Sequence, residues 1–308
     1  MMKKIIVTGA TSMIGSALIR EAIKKETEVL AVVRKHSPHM NRLPESQLLK
    51  VYECDLGRLD SMDHISGSYD VFYHMAWGHT SKEERDNPML QEPNIKYTLD
   101  AVNLAKRLGC KKFIGAGSQA EYGKVDTVIA PDTPVNPQTA YGMAKYSAGI
   151  LSGKLCKQHN LTHIWARIFS VYGCYDREET MINYAIDRFL KGETARFSSA
   201  EQMWDYLYED DAGRMFYLIG ELVNENRVYC IASGESRPLK EFIMELKDLC
   251  GTDENCEFAR KVDNDCIIGL QANIESLVQD IGYHPQVSFK DGCDKVIRWR
   301  RKSEAKRS

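Results

Sequence analysis

Residues 3–15 read Lys3-Lys4-Ile5-Ile6-Val7-Thr8-Gly9-Ala10-Thr11-Ser12-Met13-Ile14-Gly15, an apolar run that breaks into small residues and passes into helical spacing at Ile14, Leu18, Ala22 and Ile23. Strand, tight turn and helix are the direct reading. Small residues at such a turn let the backbone approach a diphosphate, which sits on the free N–H groups and positive end of the helix. Outward from this unit, residues 28–34, 49–54, 70–75, 111–116 and 162–168 form further apolar runs bounded by turn signals. Helical spacing returns between them, as at Leu99, Val102, Leu104, Ala105 and Leu108. Strands alternating with helices pair in parallel through right-handed crossovers. The expected fold is therefore α/β, a doubly wound parallel sheet. Beyond about residue 170 the alternation weakens, and helical patterns near 179–191, 211–224 and 238–250 mingle with short strands such as 227–231. Residues 1–170 are expected to bind a dinucleotide, and 171–308 to form mostly a smaller mixed α/β substrate-binding region, with some segments returning to the first.

Composition limits the partners. A chain of 308 residues with 43% hydrophobic and 27% charged residues is globular. Its 41 Lys+Arg and 43 Asp+Glu leave a net charge of -2, so no overall field favours nucleic acid or an acidic membrane. The basic end, from Lys295 to Arg307, lacks an aromatic stacking platform and reads as a solvated helix with a frayed tail. Nine cysteines, without a C-x-x-C pair or zinc-like quartet, are expected to be reduced thiols, and no metal site is expected. No run approaches the ~18 apolar residues of a membrane span, and the start lacks a signal core, which points to the cytoplasm.

Among 15 tyrosines only Tyr141 has a lysine four positions on, Lys145. On a helix the two share a face, so the ammonium is expected beside the phenol, favouring phenolate. A surface Tyr/Lys pair has the same spacing.

With Thr8-Gly9-x-x-Ser12-x-x-Gly15 at the first turn, the chain resembles the extended short-chain dehydrogenase/reductase family, whose motif is T-G-x-x-G-x-x-G; Ser12 replaces the middle glycine. The resemblance implies a Rossmann fold and runs in family order over nearly the whole chain. Tyr141 and Lys145 match the Y-x-x-x-K helix, and Gly117-Ser118-Gln119-Ala120-Glu121-Tyr122-Gly123 is similar to S-S-x-x-V-Y-G. Ser118, Tyr141 and Lys145 are thereby implied as the catalytic set. Gly9, Thr11, Ser12, Met13, Ile14, Gly15, the Asp55-Leu56 pair ending the third strand, and Met75 and Ala76 of an H-x-A-A-like His74-Met75-Ala76-Trp77 are implied to line the cofactor. Tyr141 and Lys145 join them there. Asn94 stands where the family has a structural asparagine. Arg167-Ile168-Phe169-Ser170-Val171-Tyr172-Gly173 resembles R-x-x-N-V-Y-G, and residues 203–211 resemble R-D-F-x-Y-V-x-D with Trp204 at the arginine position. Substrate contacts are therefore expected from Trp77, Gln119, Ser170, Arg196 and Arg260, the last in an R-x-x-D with Asp263. Gly282-Tyr283-His284-Pro285 and a closing Trp299 helix match the nucleotide-sugar branch. The family's dimer, a four-helix bundle, is implied for 94–108 and 141–158, where Tyr97, Leu104, Leu108, Ile150 and Leu151 suit either an interface or a core.

A phenol of pKa about 10 needs the charges of Lys145 and a positive nicotinamide to act as a base at neutral pH. Family 4,6-dehydratases carry an Asp-Glu pair after the Ser/Thr position; Gln119 and Ala120 cannot replace it. Two readings stay close: reduction of a 4-keto nucleotide sugar with exchangeable cofactor, and 4-epimerisation through a transient ketone with tightly held cofactor. A non-catalytic NADP-binding sensor is a third, disfavoured by the intact Ser118, Tyr141 and Lys145. Hydrolase motifs such as G-x-S-x-G are absent. The second strand ends Val33-Arg34-Lys35, and a guanidinium suits a 2′-phosphate where an acid would repel it, so NADP is expected over NAD. Affinities for both cofactors are to be measured in wild type and Arg34→Asp: wild type should prefer NADP and the variant NAD, and a wild type preferring NAD contradicts the assignment.

Overall fold

The computed structural model describes residues 2–62, 65–253, 255–260 and 269–305. The main sheet begins with β1 (Lys4–Thr8), β2 (Glu28–Val33), β3 (Leu49–Glu53), β4 (Val71–His74), β5 (Lys112–Ser118) and β6 (Thr162–Ile168). Three short strands follow, β7 (Ser170–Tyr172), β8 (Ala195–Phe197) and β9 (Met203–Tyr208), before β10 (Arg227–Ile231) rejoins the main sheet beside β6. The seven strands lie in the order β10-β6-β5-β4-β1-β2-β3, and each neighbouring pair is parallel. The doubly wound sheet read from the alternating sequence is borne out. Winding reverses at β1, with β2 on one side and β4 on the other, so the C-terminal ends of β1 and β4 border the crevice where such sheets hold ligands.

Helices cover both faces, which is why the central strands are apolar nearly throughout. α1 (Met13–Lys24) follows β1; α2 (Pro88–Gln91) and α3 (Pro93–Arg107) precede β5; α4 (Ala140–His159) precedes β6; α6 (Glu209–Leu222) comes after α5 (Met181–Leu190) and before β10. Alternate residues divide between the layers. Ile5 and Val7 share a core with Leu18, Ile19, Phe216 and Ile219, whereas Ile6 and Phe72 pack with Val102, Leu104 and Leu108. Leu104 and Leu108 therefore belong to the core, while Met143, Ile150 and Leu151 of α4 are exposed.

The remaining elements are β11 (Ser236–Pro238), α7 (Leu239–Cys250), β12 (Cys256–Phe258), α8 (Glu275–Ile281) and α9 (Phe289–Ala305). A three-stranded sheet β11-β9-β7 and a two-stranded sheet β12-β8 carry a separate core of Ile182, Ile186, Phe189, Leu246, Val296 and Ile297. Two carboxylates of the 203–211 segment tie this region down. Asp205 accepts from the N–H groups of Ser233 (2.8 Å) and Gly234 (2.9 Å). Asp211 accepts from the Tyr283 hydroxyl and from Val287 N–H at 2.8 Å. Eight described cysteines are free thiols; Cys266 lies outside the described residues. Among the described residues no helix is long and apolar enough to cross a membrane.

The tightest helix-to-sheet approach is at Gly220, where a Cβ would lie 1.8 Å from the hydroxyl of fully buried Tyr73. Gly220→Ala is expected to destabilise the protein by about 1–3 kcal/mol through overpacking, measured by urea unfolding; unchanged stability counts against so rigid a contact.

Candidate active site

The turn after β1 is built for close approach. Gly9 has φ +67°, and a Cβ there would lie 2.7 Å from the backbone N of Ala76; at Gly15 a Cβ would lie 2.3 Å from the Gly9 carbonyl oxygen. Both positions require glycine. Ser12 caps α1: its N–H donates to the Gly9 carbonyl (2.9 Å) and its Oγ accepts from Gly15 N–H (3.0 Å). The Ser12 hydroxyl is thus a helix cap. Thr11, Met13 and Ile14 are half-buried around the turn, and the N–H groups of Met13 and Ile14, in the first helical turn, have no intrahelical acceptor. Free donors at the positive end of a 12-residue helix, beside a backbone that admits no side chain, fit a dinucleotide pyrophosphate.

The rim of this crevice is basic. Arg34 is exposed directly after β2. In the following loop Ser37 Oγ lies 3.4 Å from Thr11 Oγ1, and the Arg42 guanidinium donates to the Thr11 carbonyl at 3.2 Å. Burial, then the charges of Arg42 and Arg34, push the His39 imidazole below its ordinary pKa. β3 ends at Glu53, so Asp55 and Leu56 lie just past it and not within it; Asp55 is exposed and Leu56, half-buried, opens a short 3₁₀ turn. Buried Met75 and half-buried Ala76 continue from β4 against Gly9. Asn94 anchors that stretch as expected, its Oδ1 accepting from Gly78 N–H at 2.7 Å.

Ser118 ends β5, and Tyr141 and Lys145 share the first turns of α4, whose N-cap Thr139 accepts from Gly142 N–H at 3.1 Å. The structure brings the three together. Ser118 is near enough to the Tyr141 phenol to lower its pKa through a hydrogen bond. Lys145 departs from the expected arrangement: its ammonium donates to the Ala116 carbonyl (2.6 Å) and lies 3.8 Å from the centroid of the Trp77 indole, but 5.8 Å from that of the Tyr141 ring. Burial lowers the Lys145 pKa to about 7, against a raising effect of Glu121 and with a further lowering by Arg85. Tyr141 also differs from expectation. Its pKa is raised, because burial outweighs the lowering effects of Arg85, Ser118 and Arg177, and Glu121 adds to the rise. Burial thus favours the protonated phenol over the phenolate.

Glu121, at the valine position of the family pattern, is a functional neighbour that the sequence reading missed. Fully buried, it accepts from Ser118 N–H (2.8 Å), Trp165 Nε1–H (3.0 Å) and Arg167 Nε–H (2.8 Å). The last is a buried ion pair, with side-chain exposures of 7% and 0%. An acid in an otherwise apolar frame, together with an arginine in a buried strand, was the available signal. Glu121→Gln leaves Arg167 without its counter-charge, so unfolding free energy should fall by about 3 kcal/mol; a urea midpoint equal to wild type argues against this anchor.

The candidate substrate residues are scattered. Half-buried Trp77 sits within the cluster, its Nε1–H donating to Gln91 Oε1 at 2.9 Å, and Gln119 follows Ser118. Half-buried Ser170 begins β7 just past β6. Arg196, in contrast, is exposed on β8 and pairs with Glu257 at 2.7 Å; no contact among the described residues joins it to Ser118, Tyr141 or Lys145. The two-stranded sheet holds it at the surface of the smaller region. Arg260 is exposed after β12, and its partner Asp263 lies outside the described residues. The indole N–H of Trp204 is buried without a hydrogen-bond partner among the described residues.

Known proteins share this architecture. A dTDP-4-dehydro-6-deoxyglucose reductase from Escherichia coli is 26% identical, with 96% of each chain covered. A UDP-N-acetylglucosamine 4-epimerase from Methanobrevibacter ruminantium M1, solved in complex with UDP-N-acetylmuramic acid, superposes with a TM-score of 0.87 at 22% identity, covering 98% of this chain and 99% of that one. A UDP-glucuronic acid 4-epimerase from Bacillus cereus, solved in complex with NAD, gives 0.82 at 22% identity, covering 97% and 99%. These structures share the fold. The sequence profile of the NAD dependent epimerase/dehydratase family matches residues 5–232, and with the Gly-rich turn, the switch point and the Tyr-x-x-x-Lys helix in place, the chain belongs to that family as an enzyme of the extended short-chain dehydrogenase/reductase type.

Proposed function

We propose that the enzyme reduces the 4-keto group of a nucleotide-activated sugar, with Tyr141 as proton donor. The observation that carries this reading is the buried Tyr141 phenol beside Ser118, in surroundings whose burial favours the protonated form. A ketone reduction begins by giving a proton, whereas oxidation of a sugar alcohol begins by taking one. The turn of Gly9 to Gly15 would hold the dinucleotide, which in its reduced form would supply the hydride to the carbonyl carbon. Ser118 holds the reacting oxygen, the Tyr141 O–H bond breaks, and its proton passes to that oxygen as the carbinol forms. Lys145, which donates to the Ala116 carbonyl, would help hold the cofactor.

Residues 1–170 are the cofactor-holding part and 171–308 mostly the substrate-holding part. Gly9, Thr11, Ser12, Met13, Ile14 and Gly15 frame the pyrophosphate, with Asp55 and Leu56 at the adenine and Met75 and Ala76 at the nicotinamide side. Arg34 and Arg42 on the rim support NADP. Trp77, Gln119 and Ser170 are the substrate residues nearest the chemistry. The exposed Met143, Ile150 and Leu151 on α4 support a homodimer built on α3 and α4.

A second reading, 4-epimerisation with tightly held NAD, is favoured by the NAD-bound epimerase of the same fold. A panel of 4-keto nucleotide sugars with NADPH separates the two: NADPH consumption with a reduced product is expected, and isomerisation without consumption supports the epimerase. Tyr141→Phe should retain fold and cofactor binding and lose about 10²–10⁴-fold in turnover; wild-type turnover in that variant removes the proposed mechanism.

A further inference from the structure

The loop between β4 and α2 places an arginine on the candidate acid. The guanidinium carbon of Arg85 lies 4.2 Å from the centroid of the Tyr141 ring, and the Arg85 carbonyl accepts from Tyr141 N–H at 2.9 Å. Neighbouring bonds pin this loop to the helix: Asp86 accepts from Ala140 N–H at 2.9 Å, and buried Gln91 donates to the His79 carbonyl at 2.7 Å. Gln91 also holds the Trp77 indole that covers Lys145.

We propose that Arg85 is a positioning residue for Tyr141, its guanidinium fixing the phenol ring and supplying the positive field that the Tyr-x-x-x-Lys pattern assigns to lysine. The geometry divides the two cations. Lys145 spends its ammonium on the Ala116 carbonyl and the Trp77 indole, whereas Arg85 packs directly on the phenol. Proton release from a phenol leaves a negative charge on its ring and oxygen, which a cation over the ring stabilises. The other groups that act on Tyr141 are Arg177, which also lowers its pKa, Glu121, which raises it, and the Ser118 hydroxyl. On the far side of Lys145, His74 is buried and its pKa is lowered to about 3, so it stays neutral. With Lys145 near 7, its charge fades above neutral pH.

This inference rests on Tyr141 being the proton-transfer group, yet its test needs no substrate. Protein labelled with ¹³C at the tyrosine Cζ is titrated with and without NADP, and the Tyr141 resonance is identified by its loss in Tyr141→Phe. In Arg85→Met the Tyr141 midpoint should rise by about one pH unit or more, and in Arg85→Lys it should return most of the way to wild type. A midpoint in Arg85→Met equal to wild type overturns the proposal, as does an Arg85→Lys midpoint equal to that of Arg85→Met. If Arg85→Met does not fold, Arg85→Gln serves in its place with the same two outcomes. Wild-type turnover in Tyr141→Phe is a separate failure, of the proposed function, and leaves the titration result standing.

Discussion

One buried carboxylate, that of Glu121, braces the candidate active site. Glu121 receives three donors, from the last residue of β5, from an indole on β6 and from the Arg167 guanidinium beside it. A charge so deeply buried is tolerated only when paired and fully hydrogen-bonded, and here the pairing fixes the ends of two neighbouring strands. Ser118 is held by that lock, because the Glu121 side chain grips its N–H while the Ser118 Oγ accepts from Ala120 N–H at 3.2 Å. The same negative charge raises the pKa of Tyr141 and opposes the loss of charge on Lys145. Glu121 thus fixes Ser118 directly and adds to the effect of burial on Tyr141 while opposing it on Lys145.

The fold was legible because its determinants are local. Apolar runs of strand length, helical spacing between them and a Gly-rich first turn leave one economical arrangement, and the seven-stranded parallel sheet follows from it. Gly9 and Gly15 were legible for the same reason, since a turn that presses its backbone against Ala76 has no room for a side chain. β10 was read as a strand, but its place in the main sheet depends on contacts across 63 residues of chain, from Arg227 to Ile164 and its neighbours in β6, which no local pattern encodes.

The electrostatics of the site were less legible. Spacing placed Lys145 on the same helical face as Tyr141, and the helix confirms it. What spacing does not carry is the competitor: an indole from the end of β4, held by Gln91, that takes the ammonium to its own face. Arg85 and Glu121 come from segments brought in by tertiary packing, and they set the phenol's state together with burial. Arg196 shows the converse, since the sequence placed it with the substrate whereas strand pairing commits it to Glu257. Ser12, the departure from the glycine motif, meets the orphan N–H of Gly15 as a helix cap, a local geometry that the motif alone does not give.

In the proposed reaction Tyr141, held with Ser118 beside the Gly-rich crevice, delivers its proton to a sugar oxygen. A crystal structure of the enzyme with oxidised cofactor and a nucleotide-linked 4-keto sugar tests it most directly. The expected result is a pyrophosphate on the turn of Gly9 to Gly15 and a sugar C4 oxygen about 3 Å from both Tyr141 Oη and Ser118 Oγ. A sugar whose C4 oxygen lies beyond reach of both hydroxyls, or a dinucleotide bound away from that turn, contradicts it.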